Sequence, residues 1–526
     1  MHQIIDFYKR HPVFTFGTAV SGLIMLLHLV GLARFPVFAD ESIYIRWAQL
    51  IHDDWMRYLF FPLNDGKTPL FMWLVALAAP VYSDQLVAAR LVSVIAGAVQ
   101  IGASIGLMAA LGGSKRAQML TALMSAILPY WFFHHHLALI DGLLTMFLTL
   151  TAWAVVKLNR EVQTLPRLSK PGLIWLTTAA FFWGCALITK VPAIVAAPGI
   201  VWLAIAFSPM SQKRRLQTLV VTLSSLAVGS LMFVGLKIHP AFGQLFSRGS
   251  DFLFPIDEVL TGGYVHTIGN FPSIFWYFWQ YLTPPFFLLL VAALFSKSHQ
   301  RTILVLVAAG CLFILPIALL GRVVFARYLL PAMLFFTPAI ALGIDNLLSR
   351  AASQKSLWKR AAASTALVIL LANGLTQSLY FAAQVVFNPD STPFVESDRQ
   401  QYLLAWSSGH GIREVVAEIQ NAAATHTVAV ATEGFFGTLP DAILLFLHQR
   451  DVSNIYVEGI GLPILGVPDS FAKRAVTFDQ TLLVVNSHRL SWQLPADRLL
   501  HAYCRPDPTA PCLQLWDITG LMQQPN

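Results

Sequence analysis

The chain reads as a mainly α-helical, polytopic membrane protein of about eleven transmembrane helices, followed by a C-terminal α/β domain outside the membrane. Three observations predict this. Of 526 residues, 56% are hydrophobic and 12% charged, and the mean hydropathy is +0.63, too apolar for a soluble enzyme. The apolar residues come in runs of spanning length, separated by short Lys and Arg clusters. From Asn388 onward the composition changes to that of a soluble domain. The net charge of +8 could suggest a nucleic-acid partner, but no basic stripe with interleaved aromatics lies on a polar domain. The clusters are topology signals instead, and no nucleic acid is expected.

The apolar run from Val13 to Ala33 follows Lys9 and Arg10 and has about 21 residues, longer than a signal-peptide core. It stays as the first span, and the chain emerges outside at Arg34. A large first outer loop, 35–88, follows. In it Ile43, Trp47, Leu50 and Ile51 have helical spacing, which predicts a helix over 42–55 lying on the membrane surface. The apolar stretch 69–82 has only about 14 residues, roughly 21 Å as a helix. The hydrocarbon core is about 30 Å thick, so this stretch is expected to dip into the interface without spanning.

With that choice every basic cluster falls inside. Spans are expected at 86–111, 117–133, 138–156, 172–189, 191–208, 217–236, 273–295, 302–320, 328–347 and 361–383. They leave Lys115 and Arg116, then Lys157, Arg160, Arg167 and Lys170, then Lys213 to Arg215, then Lys297 and Arg301, then Arg350 to Arg360 on the inner side. The aromatic run Phe271, Phe275, Trp276, Tyr277, Phe278, Trp279 and Tyr281 reads as an outer interface belt, ahead of a sugar-stacking platform.

The membrane part is thus 1–387 and the outer domain 388–526. The latter should hold a helix at 411–423 and strands at 428–432, 454–459, 481–486, 499–504 and 512–516. Cys185 and Cys311 lie in apolar segments and pack as small apolar residues. Cys504 and Cys512, eight apart in a polar tail, either close a disulfide in an oxidising compartment or remain free thiols.

Ionisable residues that topology does not explain gather at the outer ends of the spans: Asp40, Glu41, Lys67, Arg90, His134, His135, His136, Asp141, Lys190, Arg322 and Arg327. Charges at membrane depth are costly and tend to pair and line a cavity. A carboxylate such as Asp40 can take a proton from an attacking hydroxyl, although a helix-end cap is the plainer role for an isolated acid. Lys67, Lys190 and Arg327 can hold a phosphate whose negative charge grows as it leaves, although each alone could be a snorkelling side chain.

The ordered segments ADESIY (39–44), GKTPLFMW (66–73), AARLVS (88–93) and HHHLALIDGLLTMF (134–147) resemble the membrane glycosyltransferases of the GT-C class. Family 39, the protein O-mannosyltransferases, and the related lipid A aminoarabinose transferases are the most similar groups. The resemblance covers roughly the first 350 residues. It implies Asp40 as base with Glu41 its neighbour, Lys67 as a contact to the lipid phosphate, and Asp141 as supporting acid. Arg327 in ARYLLP (326–331) looks like the late phosphate-binding Arg; Lys190 would join it, with His134, His135, His136, Arg90, Arg322 and Tyr328 as possible lining. Thr68 and the His triplet depart from the family pattern, so the resemblance implies the chemistry and not the donor sugar. The outer domain looks like that of some bacterial family 39 members in ESDRQQYLLAWSSGHGIREV (396–415) and ATEGFFGTLPD (431–441).

The expected function is therefore inverting transfer of a sugar from a polyprenyl-phosphate donor to a hydroxyl acceptor (protein, lipid or glycan) at the outer face of a bacterial cytoplasmic membrane. No cofactor is expected, although Asp40, Glu41, Asp141 and a nearby His could hold a divalent ion. Two rivals come from other classes: a polyprenyl-lipid flippase or transporter, and a non-catalytic lipid-binding scaffold. A transporter predicts charges at the bilayer midplane and broken helices in matched halves, whereas here the charges gather at one surface.

Overall fold

The computed structural model describes residues 11–164, 169–207, 211–247, 249–448 and 453–521. Lys9, Arg10 and Arg167 of the topology argument lie outside them. The chain forms two compact units: Met1–Leu32, Phe60–Phe71 and Arg90–Phe387 make the first, and Ala33–Leu59, Met72–Ala89 and Asn388–Asn526 the second.

The first unit is helical. Among the described residues eight helices are long and apolar enough to cross a membrane: Pro12–Gly31, Gln85–Ala110, Ile140–Val162, Lys170–Thr189, Gln212–Ile238, Gln300–Leu320, Ala326–Ala352 and Leu357–Phe387. The pair Asn270–Tyr281 and Pro284–Leu294 makes a ninth if counted as one span, bent by 108°. Thr283, at φ 62°, and the prolines after it impose that bend.

Prolines also explain why this count differs from the eleven spans read from hydropathy. The stretch 117–133 is divided: Leu128 is extended ahead of Pro129, so Lys115–Ile127 ends there and Pro129–His136 begins anew. The stretch 191–208 opens as a 3-10 turn, Val191–Ala196, and continues as the short helix Ala197–Ala206. The stretch 69–82 is the short helix Leu70–Ala78, extended by one turn to Val81.

Polar pairs join the helices where lipid offers no partner. Arg116 and Ser114 meet Asp345, the latter at 2.8 Å; Thr218 donates to Asn159 at 2.9 Å, and Trp131 to Thr337 at 2.9 Å. Lys170–Thr189 and Gln212–Gly235 approach through glycine. A Cβ on Gly229 would stand 2.1 Å from the Ala180 carbonyl oxygen, so only glycine fits.

In the second unit, β1 (Val428–Thr432), β2 (Ile455–Gly459), β3 (Gln480–Asn486), β4 (Leu499–Tyr503) and β5 (Leu513–Asp517) form one sheet of order β2-β1-β3-β5-β4. β1 is parallel to β2 and β3, whereas β5 is antiparallel to β3 and β4. The five strands match the five expected segments to within a residue or so at each end. β1 is buried throughout, as a central parallel strand covered on both faces should be. Ala429, Ala431, Leu483 and Val485 pack with Phe471, Trp516 and Ile518 in one core cluster. Cys504 and Cys512 are joined as a disulfide.

The same unit holds the helix Ala39–Asp53. It starts three residues ahead of the apolar pattern because Glu41 folds back and accepts the Phe38 amide at 3.0 Å, the acidic half of a capping box. Its buried side includes Ile43, Tyr44, Ala48, Gln49 and Ile51, and it packs against the helix Asp441–Leu447. That side therefore meets protein, where a helix lying on the membrane surface was expected to meet lipid.

Candidate active site

In the first unit, Asp141 lies in the first turn of the helix that starts at Ile140 and is 3% exposed. Its Oδ1 accepts from the Lys190 ammonium at 2.7 Å. Lys190 stands where the helix Lys170–Thr189 ends before Val191 and Pro192, a position that favours a cation. The same ammonium lies 4.6 Å from the centroid of the Tyr328 ring. Arg327 is buried in the 3-10 turn Ala326–Ala332, its guanidinium 4.8 Å from the Phe325 ring and 5.4 Å from the Tyr328 ring. Tyr328 thus has two cations beside it.

His134 belongs to this group. It is within the electrostatic reach of both Asp141 and Arg327, and its Nδ1 is 2.8 Å from the Tyr130 carbonyl. Its Nε2 is buried with no hydrogen-bond partner among the described residues. A buried polar atom in that state is a place where a ligand can bond.

The other candidates of the first unit have neighbours of their own. Lys67 lies 5.7 Å over the Phe252 ring; Arg322 bonds the Phe252 carbonyl through its amide at 2.9 Å and lies 4.5 Å over the Phe254 ring. These two cations therefore share the segment Phe252–Phe254. Arg90, fully buried, donates to the Leu32 carbonyl just after the first helix. His135 faces the Ser93 carbonyl at 3.2 Å and His136 the His28 ring at 2.9 Å, so the triplet's three rings serve three different neighbours.

In the second unit, Asp40 is the second residue of the helix Ala39–Asp53, where an acid complements the positive end of the macrodipole. Glu41 is wholly buried and caps that helix. Among the described residues no three His, Cys, Asp or Glu side chains converge as a metal-ligating group. Asp141 pairs with Lys190, and Glu41 accepts the Phe38 amide.

Sequence reasoning missed Phe325, which flanks Arg327, and His28, which meets His136. His28 had a signal, since it is a lone ionisable group in an otherwise apolar span; Phe325 had none.

The long apolar helices and the charges buried among them define a mainly helical, polytopic membrane protein. Residues 31–246 match the family described as dolichyl-phosphate-mannose-protein mannosyltransferase. That segment includes Asp40, Glu41, Lys67, Arg90, the His triplet, Asp141 and Lys190, and excludes Arg322, Arg327 and Tyr328. No curated protein sequence matches the chain.

Among solved structures, ArnT from Cupriavidus metallidurans in the apo state is similar at TM-score 0.57 and 16% identity, over 98% of this chain and 100% of that one. The same protein bound to undecaprenyl phosphate gives 0.53 and 15%, over 97% and 99%. The archaeal oligosaccharyltransferase AglB from Archaeoglobus fulgidus, in complex with an inhibitory peptide and a dolichol-phosphate, gives 0.54 and 11%, over 91% and 70%. At such identities the likeness is one of fold, and against ArnT it runs nearly the whole length of both chains.

Proposed function

We propose that this protein is an inverting glycosyltransferase. It moves a sugar from a polyprenyl-phosphate donor to a hydroxyl acceptor at the outer face of a bacterial cytoplasmic membrane. Residues 1–387 form the transmembrane domain with its large outer loop, and residues 388–526 an extracytoplasmic domain. The single observation that carries the reading is the group of Lys190, Asp141, Tyr328 and Arg327, two cations set against aromatic rings beside a buried carboxylate in an apolar helical unit. ArnT bound to undecaprenyl phosphate and AglB with dolichol-phosphate share the fold, which supports a polyprenyl phosphate as donor. The Cys504–Cys512 disulfide suits an oxidising compartment.

In the reaction the acceptor oxygen attacks the anomeric carbon from the face opposite the phosphate. The bond from that carbon to the phosphate oxygen breaks, and the configuration inverts. Asp40 takes the acceptor's proton. The polyprenyl phosphate leaves as an anion, its charge met by Lys190 and Arg327, with Lys67 as a further contact, so no strong general acid is needed. Placing cations where charge grows is worth about 10²–10³-fold per contact in comparable sites. Asp141 holds the Lys190 ammonium in place, and the unpaired Nε2 of His134 offers a bond to a sugar hydroxyl or a phosphate oxygen.

The test is transfer of labelled sugar from a panel of polyprenyl-phosphate donors by the purified protein in lipid, with Asp40→Asn and added chelator in parallel. Transfer that requires Asp40 establishes the class and names the donor. Absence of transfer with every donor, together with tight lipid binding, would overturn the reading in favour of a flippase or scaffold.

A further inference from the structure

The turn that carries Asp40 is built largely by residues more than 350 positions away in the chain. The Ala39 amide donates to the Ser407 carbonyl at 2.9 Å, the Gly409 amide donates to the Val37 carbonyl at 2.7 Å, and Phe38 and Ser408 form an antiparallel bridge. The approach is close: a Cβ on Gly409 would stand 2.5 Å from the Val37 carbonyl oxygen. On the other side of Asp40, the Ser42 hydroxyl, itself buried, lies 2.7 Å from the Ala39 carbonyl and 3.0 Å from the Gly437 carbonyl. The Gly437 amide in turn donates to Asp441 Oδ2 at 2.7 Å. Further along the same helix, Gln49 donates to the Leu445 carbonyl at 3.1 Å.

Two features make this more than a surface contact. Phe38 stands at the N-cap and has no side-chain acceptor, so the helix start is held instead by Glu41 and Ser407, whose oxygens accept the Phe38 and Ala39 amides. Gly437 has a φ of +113°, a conformation that a residue with a side chain rarely adopts, and this backbone aims its carbonyl at Ser42. The backbone on both sides of Asp40 is therefore held by the sequence that follows Asn388.

Resting on the reading of Asp40 as the base, we infer that the C-terminal domain completes the catalytic apparatus, with Ser42 and Gly437 as positioning residues that hold the Asp40 turn. A base works only when its oxygen is within hydrogen-bond reach of the proton it takes, and a displacement of about 1 Å can cost about 10²-fold in rate. Ser42 and Gly437 touch no substrate in this scheme. They act through the placement of Asp40.

The experiment is steady-state transfer by the full-length protein in lipid for wild type, Ser42→Ala, Gly437→Ala and the double variant, with thermal unfolding recorded for each. The expected result is a fall in kcat of about 10-fold for each single variant, with KM for donor and acceptor unchanged. The double variant should be no slower than the worse single, because Ser42→Ala removes and Gly437→Ala displaces the same hydrogen bond. Wild-type kcat in Ser42→Ala, losses that multiply in the double variant, or a change confined to KM would overturn the inference. Gly437→Ala strains a positive φ; if it does not fold, Ser42→Ala, which adds no atom, decides through its kcat and KM alone. Wild-type protein that transfers from no donor overturns the reading of Asp40 as base, whereas transfer that survives both substitutions at full rate overturns only the positioning.

Discussion

The Lys190 ammonium sits 2.7 Å from the carboxylate of Asp141, a pair formed between the end of one apolar helix and the start of another. Its Asp141 side is 4% exposed and its Lys190 side 19%, so each charge depends on the other. Removing one partner of such a pair leaves the other uncompensated, at about 3–5 kcal/mol, whereas an apolar replacement of both is close to neutral for stability. Asp141→Ala and Lys190→Met should each lower the unfolding temperature in lipid, and Asp141→Leu combined with Lys190→Met should recover much of it. Transfer should stay low in all three, because the double variant has no ammonium for the leaving phosphate. Recovery of transfer in the double variant would remove Lys190 from the donor site.

Tyr328 lies beside both cations, and what it offers them is a ring face. Tyr328→Phe keeps that face and Tyr328→Leu discards it. A cation–π contact is worth about 0.5–2 kcal/mol. Tyr328→Leu should therefore raise the donor KM about 2- to 30-fold, while Tyr328→Phe stays near wild type. Equal losses in the two variants would assign the effect to the phenol hydroxyl.

Lys67 lies over the Phe252 ring. If it contacts the donor phosphate, Lys67→Ala should weaken the use of donor more than that of acceptor in kcat/KM measurements. An equal loss on both would argue against a phosphate contact.

Asp441 supplies a pH dependence. Burial pushes its carboxyl up to about 6, partly opposed by the Gly437 amide and by Arg46. The unfolded chain has an ordinary Asp near 3.9. Below that value both states are protonated and the folded form has its full stability. As pH rises from about 4 to about 6 the unfolded chain ionises first, so stability falls through that window, by at most about 3 kcal/mol. Asp441→Asn should flatten this part of a denaturant-midpoint against pH curve. An unchanged slope would show that Asp441 does not set it.

Topology can be tested by cysteine accessibility in intact cells. Position 67 and the domain after Asn388 should label from outside and position 115 only after permeabilisation. Labelling of position 115 from outside would turn the short helix Leu70–Ala78 into a true span.

Much of the architecture was legible because its signals are local. Apolar runs of spanning length and intervening basic clusters mark the helical unit, and short apolar runs rich in β-branched and aromatic residues mark β1 to β5, since both follow from a few neighbouring side chains. The candidate charges were legible too, each being costly at membrane depth. Span number was harder. Hydropathy does not register where a proline breaks the ladder, as at Pro129, or where Thr283 turns the chain.

By itself, then, the sequence determined the class of molecule, the strands of the C-terminal sheet and the inventory of acids and cations. Only the tertiary structure decided the groupings: Lys190 with Asp141 and Arg327 beside Tyr328, Lys67 with Arg322 on Phe252–Phe254, and the Asp40 turn with Ser407, Gly409 and Gly437. Those groupings join residues tens to hundreds of positions apart. They depend on helix ends and loop carbonyls meeting in space, and no local periodicity encodes such a meeting.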